Sequence, residues 1–216
     1  MAQAVIQEAS KYVGVVKGSS SHRHIIDGYN RHRPLPMGYH VTYQDDWCDT
    51  FVTFIADQVG AAAFIGRECG VARHVQIFKQ LGIWLGRQEP QLGDIIVFDW
   101  DGNAWGDHIG YVAQVQGEVV TTIEGNSSNR VARRQYVWHD GRIMGYARPN
   151  YPKQSSPVSA RPGRGCQCPT DPTIDQVAQE VIRGQWGSGQ ERVRRLQAAG
   201  WEAEAVQARV NQRMQG

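Results

Sequence analysis

The sequence predicts an α+β chain with a small helical unit appended to it. Three observations carry that reading. Helical periodicity dominates the first 82 residues and then gives way to short β-rich runs over 95–148. A Pro/Gly/Ser-rich stretch without apolar period covers 152–172, and helical periodicity returns over 174–214. Helices followed by a meander of short strands is the layout of helices packed on an antiparallel sheet.

The elements follow in order. Val5, Ile6, Ala9, Tyr12 and Val13 recur at helical spacing, and Gly14 is suited to end that helix. Residues 17–42 are rich in Ser, His, Gly and Pro and read as a long loop holding one short helix, His24 to Asn30. A second main helix begins near Asp46, with Asp45 or Asp46 as N-cap. Phe51, Ile55 and Val59 line one face of it, and Gly60 closes it. A third covers Val71 to Leu81 and stops at Gly82.

The period then changes to that of strands. Ile95 to Phe98, His108 to Val115, Val119 to Glu124 and Met144 to Arg148 are β-rich runs separated by Gly, Asp and Asn. Pro90 and Gly93-Asp94 mark the turn before the first. Beyond 172, helical runs span Ile174 to Ile182, Gln190 to Ala199 and Ala203 to Met214. The expected organisation is therefore a domain over 1–150, a linker over 151–172 and a three-helix unit over 173–216.

Composition narrows the function classes. With 41% hydrophobic residues the chain can pack a core and is not disordered. The net charge of +2 is uneven, −1 over residues 1–150 and +3 over 151–216, which suits a weakly anionic surface. The basic residues form no stripe interleaved with aromatics, so nucleic-acid binding is not expected. No apolar run reaches the ~18–20 residues of a membrane helix, so no membrane insertion is expected. The first residues show neither the basic nor the apolar part of an export signal, so synthesis in the cytoplasm is expected. Cysteines 48, 69, 166 and 168 form no disulfide framework. Cys166 and Cys168 alone are too few ligands for zinc.

One constellation carries chemistry. Cys48 opens an amphipathic helix, where the helix dipole and orphan N–H groups favour a thiolate and could cradle an oxyanion. His108 opens a strand sixty residues later and can act as base toward Cys48 and as acid toward a leaving amine. Glu124 or Asn126, one strand over, is placed to hold the other imidazole nitrogen. A cysteine on an apolar helix is by itself more often a small buried hydrophobe. It is the joint order, typical of a papain-like half, that favours a cysteine hydrolase. Trp47 and Trp105 flank the proposed site and could wall a substrate cleft, as could Trp100, although core packing explains a tryptophan equally well. His22, His24, His32, His40 and His74 show no paired spacing and read as loop or surface residues, and Cys69 reads as structural. Asp99, Asp101, Asn103 and Asp107 lack the glycine and terminal glutamate of an EF-hand loop, so no metal site is expected there.

These residues resemble a known family. Asp46-Trp47-Cys48-Asp49-Thr50-Phe51-Val52, Pro90-Gln91-Leu92-Gly93-Asp94, Asp107-His108-Ile109-Gly110 and Glu124-Gly125-Asn126 are similar, in that order, to a CHAP domain, the cysteine, histidine-dependent amidohydrolase/peptidase module of phage endolysins and bacterial autolysins. The resemblance covers about 1–149. It implies a papain-like fold with Cys48 as nucleophile, His108 as base, Glu124 as the orienting group and Asn126 in support. Some members bind calcium near the nucleophile, but Thr50 and its loop depart from such a ligand set, so no cofactor is expected.

Residues 174–214 resemble a second family, the CW-seven cell-wall-binding repeat of phage lysins, through Val177-Ala178-Gln179-Glu180-Val181-Ile182-Arg183-Gly184-Gln185-Trp186-Gly187, Leu196 to Trp201 and Ala205 to Asn211. That resemblance implies a muropeptide partner, with Trp186 and Arg192 as candidate contacts. Together the two imply an endolysin made without an export signal in the host cytoplasm, which reaches the wall after holin-type release and cleaves an amide of peptidoglycan. One repeat implies weak wall binding alone, or an oligomer.

Overall fold

The computed structural model of the chain describes residues 1–152, 174–182, 192, 193, 195, 196 and 203–214. Its contacts divide it into two units, Met1–Pro157 and Val158–Gly216.

The first unit is the expected α+β, papain-like arrangement of N-terminal helices on an antiparallel sheet. Helices α1 (Ala2–Ser10), α2 (Ser20–Arg31), α3 (Cys48–Gln58), α4 (Ala62–Ile65) and α5 (Val71–Gln80) precede the strands. Strands β1 (Trp84–Gly86), β2 (Ile95–Phe98), β3 (His108–Gln116), β4 (Val119–Glu124), β5 (Ala132–Val137) and β6 (Ile143–Ala147) form one sheet in the order β1-β6-β2-β3-β4-β5. Every pairing is antiparallel.

Helix α3 is the centre of this unit. Nine of its eleven residues are buried, so it is enclosed on nearly all sides rather than amphipathic. It packs on α1, α2, α4, α5, β3 and β4. The Tyr111 hydroxyl on β3 donates to Val52 O on α3 at 2.7 Å, which fixes helix against sheet by a buried bond as well as by apolar contact. The main core, including Val5, Ile25, Phe51, Phe54, Ile55, Phe78, Ile109 and Ile123, fills the helical side. A smaller cluster of Ile96, Phe98, Val112, Val120, Ile143 and Tyr146 includes the alternate residues of β2, β3 and β4, and thus lies across the sheet from the main core.

Several local expectations change. Helix α2 starts four residues before His24, because the Ser19 side chain caps it by accepting from His22 N at 3.1 Å. At α3 the N-cap is Trp47, with no side-chain cap bond, rather than Asp45 or Asp46. Asp46 is recruited elsewhere, as described below. Strand β5 falls between the runs ending at Glu124 and beginning at Met144, where the sequence periodicity marks no element. It is an edge strand whose exposed face carries Arg133, Gln135 and Val137, so its alternation is mostly polar.

In the second unit, α6 (Ile174–Ile182) and α7 (Ala203–Met214) pack on one another. Val177, Ala178, Val181, Leu196, Val206 and Val210 form their core. Of the run expected over Gln190 to Ala199, Arg192, Val193, Arg195 and Leu196 are described, and all four are helical. The linker expected over 151–172, except Tyr151 and Pro152, lies outside the described residues, as do Cys166, Cys168 and Trp186.

Candidate active site

Cys48 is the first residue of α3 and is buried, with only 7% of its surface exposed. The backbone N–H groups of Asp49 and Cys48 favour its thiolate. In the first turn these groups have no intrahelical partner, so they remain available to an anion. Burial nevertheless pushes the thiol up to about 12, with the Asp49 and then the Asp46 carboxylate adding to the effect. The helix end is outweighed by desolvation, and Cys48 rests as a thiol. A sequence argument from the dipole alone points the other way.

His108 opens β3, and its Nε2 lies 2.9 Å from Glu124 Oε2 on β4. Glu124 is itself almost fully buried. An ionised carboxylate only accepts, so the proton belongs on Nε2 and Nδ1 is left as the basic nitrogen. The other Glu124 oxygen accepts from the Thr122 hydroxyl, and the Tyr136 hydroxyl lies 3.4 Å from Oε2. Rings of Phe98 and Trp100 flank the imidazole at 5.8 and 6.2 Å, and they stack on one another at 4.6 Å. The imidazole orientation is thus set by a buried carboxylate on one side and an aromatic wall on the other.

Two contacts join this strand end to the Cys48 helix. Asn126 Nδ2 donates to Asp46 Oδ1 at 2.8 Å, two residues before Cys48. Gly125 lies so close to Phe51 that a Cβ there would come within 2.4 Å of the phenylalanine Cβ. Cys48, His108, Glu124 and Asn126 are therefore brought to one end of the sheet. No hydrogen bond joins the Cys48 thiol to His108 among the described residues. Next to them, Trp100, His108, Glu124, Asn126, Ser127, Ser128 and Tyr136 line a pocket of about 260 Å³.

Two family models match the chain, the CHAP domain over residues 38–126 and the CW_7 repeat over residues 175–214. The chain carries a CHAP domain and a CW_7 repeat. CHAP domains are papain-like hydrolase domains that act on peptidoglycan, and the CW_7 repeat is a cell-wall-binding unit. Among solved structures the chain is similar to the crystal structure of Ly7917, at 16% identity and a TM-score of 0.41, over 69% of this chain and 62% of that one. It is also similar to Ly7917 with the hydrolyzing product of MDP, at 17% identity and a TM-score of 0.43, over 69% and 63%. The chain thus spans a little over six tenths of the length of those structures. No curated protein matches it.

Within the CHAP domain some candidate residues fall elsewhere than expected. Trp47 is fully buried, edge-on to His22 at 4.8 Å and to Phe51 at 6.3 Å, so it packs the core and does not face substrate. Trp105 is 65% exposed and lines a separate groove of about 220 Å³ with Ala72, Val75, Gln76, Lys79 and Met144. The tryptophan in the His108 pocket is Trp100. In the CW_7 repeat Arg192 is half-buried, and its Nη1 donates to Gln207 Oε1 at 3.2 Å.

His74, read from the sequence as a surface residue, is fully buried. Its Nδ1 lies 2.6 Å from Asp49 Oδ1 and its Nε2 3.0 Å from Ile65 O. This pair anchors the residue next to Cys48, and only a chain separation of 25 residues hid it. Thr122, Ser127, Ser128 and Tyr136 were also missed, since hydroxyls on strands and loops carry no spacing signal. The acidic loop does bring Asp99, Asp101 and Asp107 together. Their carboxylates bind the loop's own donors, with Asp99 accepting from Gly102, Asn103 and Ala104 N and Asp107 accepting from Trp100 N.

Proposed function

We propose that this chain is a bacteriolytic peptidoglycan hydrolase of the endolysin type that cleaves a wall amide through Cys48. The observation that carries the reading is the His108–Glu124 pair, held at the N-terminus of the Cys48 helix by the Asn126–Asp46 bond.

The steps follow from the atoms present. His108 Nδ1 takes the Cys48 proton as sulfur attacks the amide carbonyl, and the N–H groups of Cys48 and Asp49 receive the developing oxyanion. Glu124 stabilises the imidazolium formed in that step. The proton then passes from Nδ1 to the leaving amine nitrogen as the C–N bond breaks, leaving a thioester on Cys48. Water, deprotonated by the same nitrogen, attacks the thioester and releases the acid and the free thiol. The CW_7 repeat holds the enzyme on muropeptide, and host-wall lysis follows release of the protein from the cytoplasm. The bond is either the lactyl amide to the first stem residue or a peptide bond of the stem or cross-bridge.

Digestion of purified peptidoglycan by the wild-type protein and by Cys48→Ala, with fragments identified by mass spectrometry, tests the proposal. Intact free stem peptides from the wild type alone identify an amidase, and shortened or un-crosslinked stems an endopeptidase. Equal digestion by the two proteins would overturn the Cys48 mechanism, and digestion by neither would leave a wall-binding protein.

A further inference from the structure

The His108 pocket has a second end that the hydrolytic groups do not use. It is built from the loop after β4 and from the edge strand β5. Asn126, Ser128 and Asn129 in that loop have φ values of 55°, 56° and 60°, left-handed conformations that non-glycine residues seldom adopt and that persist where surrounding bonds enforce them. Arg134 on β5 ties this loop to the sheet. Its Nε donates to Ser127 Oγ at 3.0 Å and its Nη2 to Ser128 Oγ at 3.2 Å. Arg134 shares a strand face with Tyr136; the two serines and Tyr136 line the pocket, and the Arg134 guanidinium, bonded to both serine oxygens, stands behind them.

Two consequences follow for what this end can bind. A serine oxygen that accepts from a guanidinium has its own O–H proton directed elsewhere, so Ser127 and Ser128 are left as donors. The guanidinium itself has no carboxylate within ion-pair distance among the described residues. Glu124, the nearest acid in the pocket, is committed to His108 and Thr122. One end of the pocket is therefore basic and acceptor-bearing through His108 Nδ1. The other presents hydroxyl donors with the Arg134 charge directly behind them, the complement of a carboxylate.

We propose that the hydroxyls of Ser127 and Ser128, oriented and backed by the Arg134 guanidinium, form a carboxylate-recognition site that positions the substrate's stem peptide through a free carboxylate near the scissile amide. This rests on the hydrolase reading above and names the substrate feature it selects. Stems whose carboxylate is amidated present N–H donors to a site made of donors and are poorer substrates. A site built to pair with a polar group discriminates against an analogue that leaves its donors unmatched.

The test uses the full chain and soluble muropeptides identical except that the internal acidic residue carries either a free carboxylate or a carboxamide. A third form, amidated only at the C-terminus, separates an internal from a terminal carboxylate as the recognised group. The wild type is expected to show at least ~10-fold higher kcat/KM on the free carboxylate, expressed in KM. Arg134→Gln is expected to bring the ratio to about one, and Arg134→Lys to retain part of it. Equal kcat/KM in the wild type, or a preference that survives Arg134→Gln, overturns the proposal. Because Arg134→Gln can also disorder the loop, a second readout uses Cys48→Ala protein with Arg134 intact. There the Arg134 Nε–H resonance is expected to move with the carboxylate muropeptide and to stay with the carboxamide; identical responses overturn the proposal. If the wild type hydrolyses none of these muropeptides while the resonance discriminates between them, the hydrolase reading falls and carboxylate recognition stands.

Discussion

The state of the Cys48 thiol decides how this site works. Burial, then Asp49, then Asp46 raise it from the ordinary value of 9.0 to about 12. Three powers of ten in acidity correspond to about 4 kcal/mol against the thiolate, so at any neutral pH Cys48 carries about a thousandth of the thiolate of an accessible cysteine. A preformed thiolate–imidazolium pair predicts a different protein. Its alkylation would be fast and flat from about pH 6 to 9. The geometry here predicts slow alkylation by iodoacetamide, rising about tenfold per pH unit across that range, and at least ~100-fold slower at pH 7.5 than glutathione. Peptide mapping by mass spectrometry resolves Cys48 from the other three cysteines. Asp49→Asn keeps an acceptor for His74 Nδ1 and removes the larger of the two charges, so it is expected to raise the alkylation rate. A pH-independent rate between 6 and 9 would refute the argument that desolvation outweighs the helix end.

Further outcomes follow from individual contacts. Gly125→Ala forces a Cβ to within 2.4 Å of the Phe51 Cβ; it is expected to cost about 1–3 kcal/mol in urea unfolding and to lower peptidoglycan turnover more than tenfold, since Glu124 and Asn126 flank it. His74→Leu leaves Asp49 as a buried carboxylate without its partner and is expected to cost about 3–5 kcal/mol, measured by the same unfolding. Glu68 is buried, which opposes its charge, yet Arg73 and the Cys69 N–H hold its carboxyl below the ordinary value. A depressed folded value contributes stability that is present above the unfolded carboxylate range, about pH 4, and is lost as pH falls through the folded value. Arg73→Gln is therefore expected to lower Tm at pH 7 and to flatten its decline in acid.

The parts legible in the sequence are those whose signal is local. Helix α5 and strands β2, β3 and β4 each announce themselves by period and bounding glycines, and the order Cys48, His108, Glu124, Asn126 survives into one end of the sheet. The illegible parts depend on partners distant in the chain. Strand β5 is an edge whose outward residues are polar, so no apolar alternation marks it. Trp47 next to the nucleophile suggests a cleft wall, but α3 is buried on nearly all sides and the ring turns inward against His22. Asp46 is well suited to cap the helix by its position; the bond to Asn126, 80 residues away, takes its side chain instead. His74 and Asp49 satisfy one another only because α5 packs on α3.

A buried cysteine on an apolar helix is equally what a purely structural residue looks like, and what separates the two readings is the surroundings of Cys48. Trp47 Nε1, Asp49 Oδ2 and Thr50 Oγ1 are buried and make no hydrogen bond. The same holds for Asn126 Oδ1, whose amide binds Asp46, and for His22 Nε2, whose ring packs on Trp47. Each such atom costs about 1–3 kcal/mol of desolvation, and an apolar core around an inert cysteine has no reason to gather them. The left-handed residues 126, 128 and 129 stand on the adjoining loop. Unsatisfied polar atoms and backbone strain are spread thinly through most folded proteins, and their concentration in one place marks a site held against its own local preference. Here they lie about the N-terminus of α3, which the Asn126–Asp46 bond ties to the strand end that carries the His108–Glu124 pair. That concentration, rather than the thiol itself, is what supports the role proposed for Cys48.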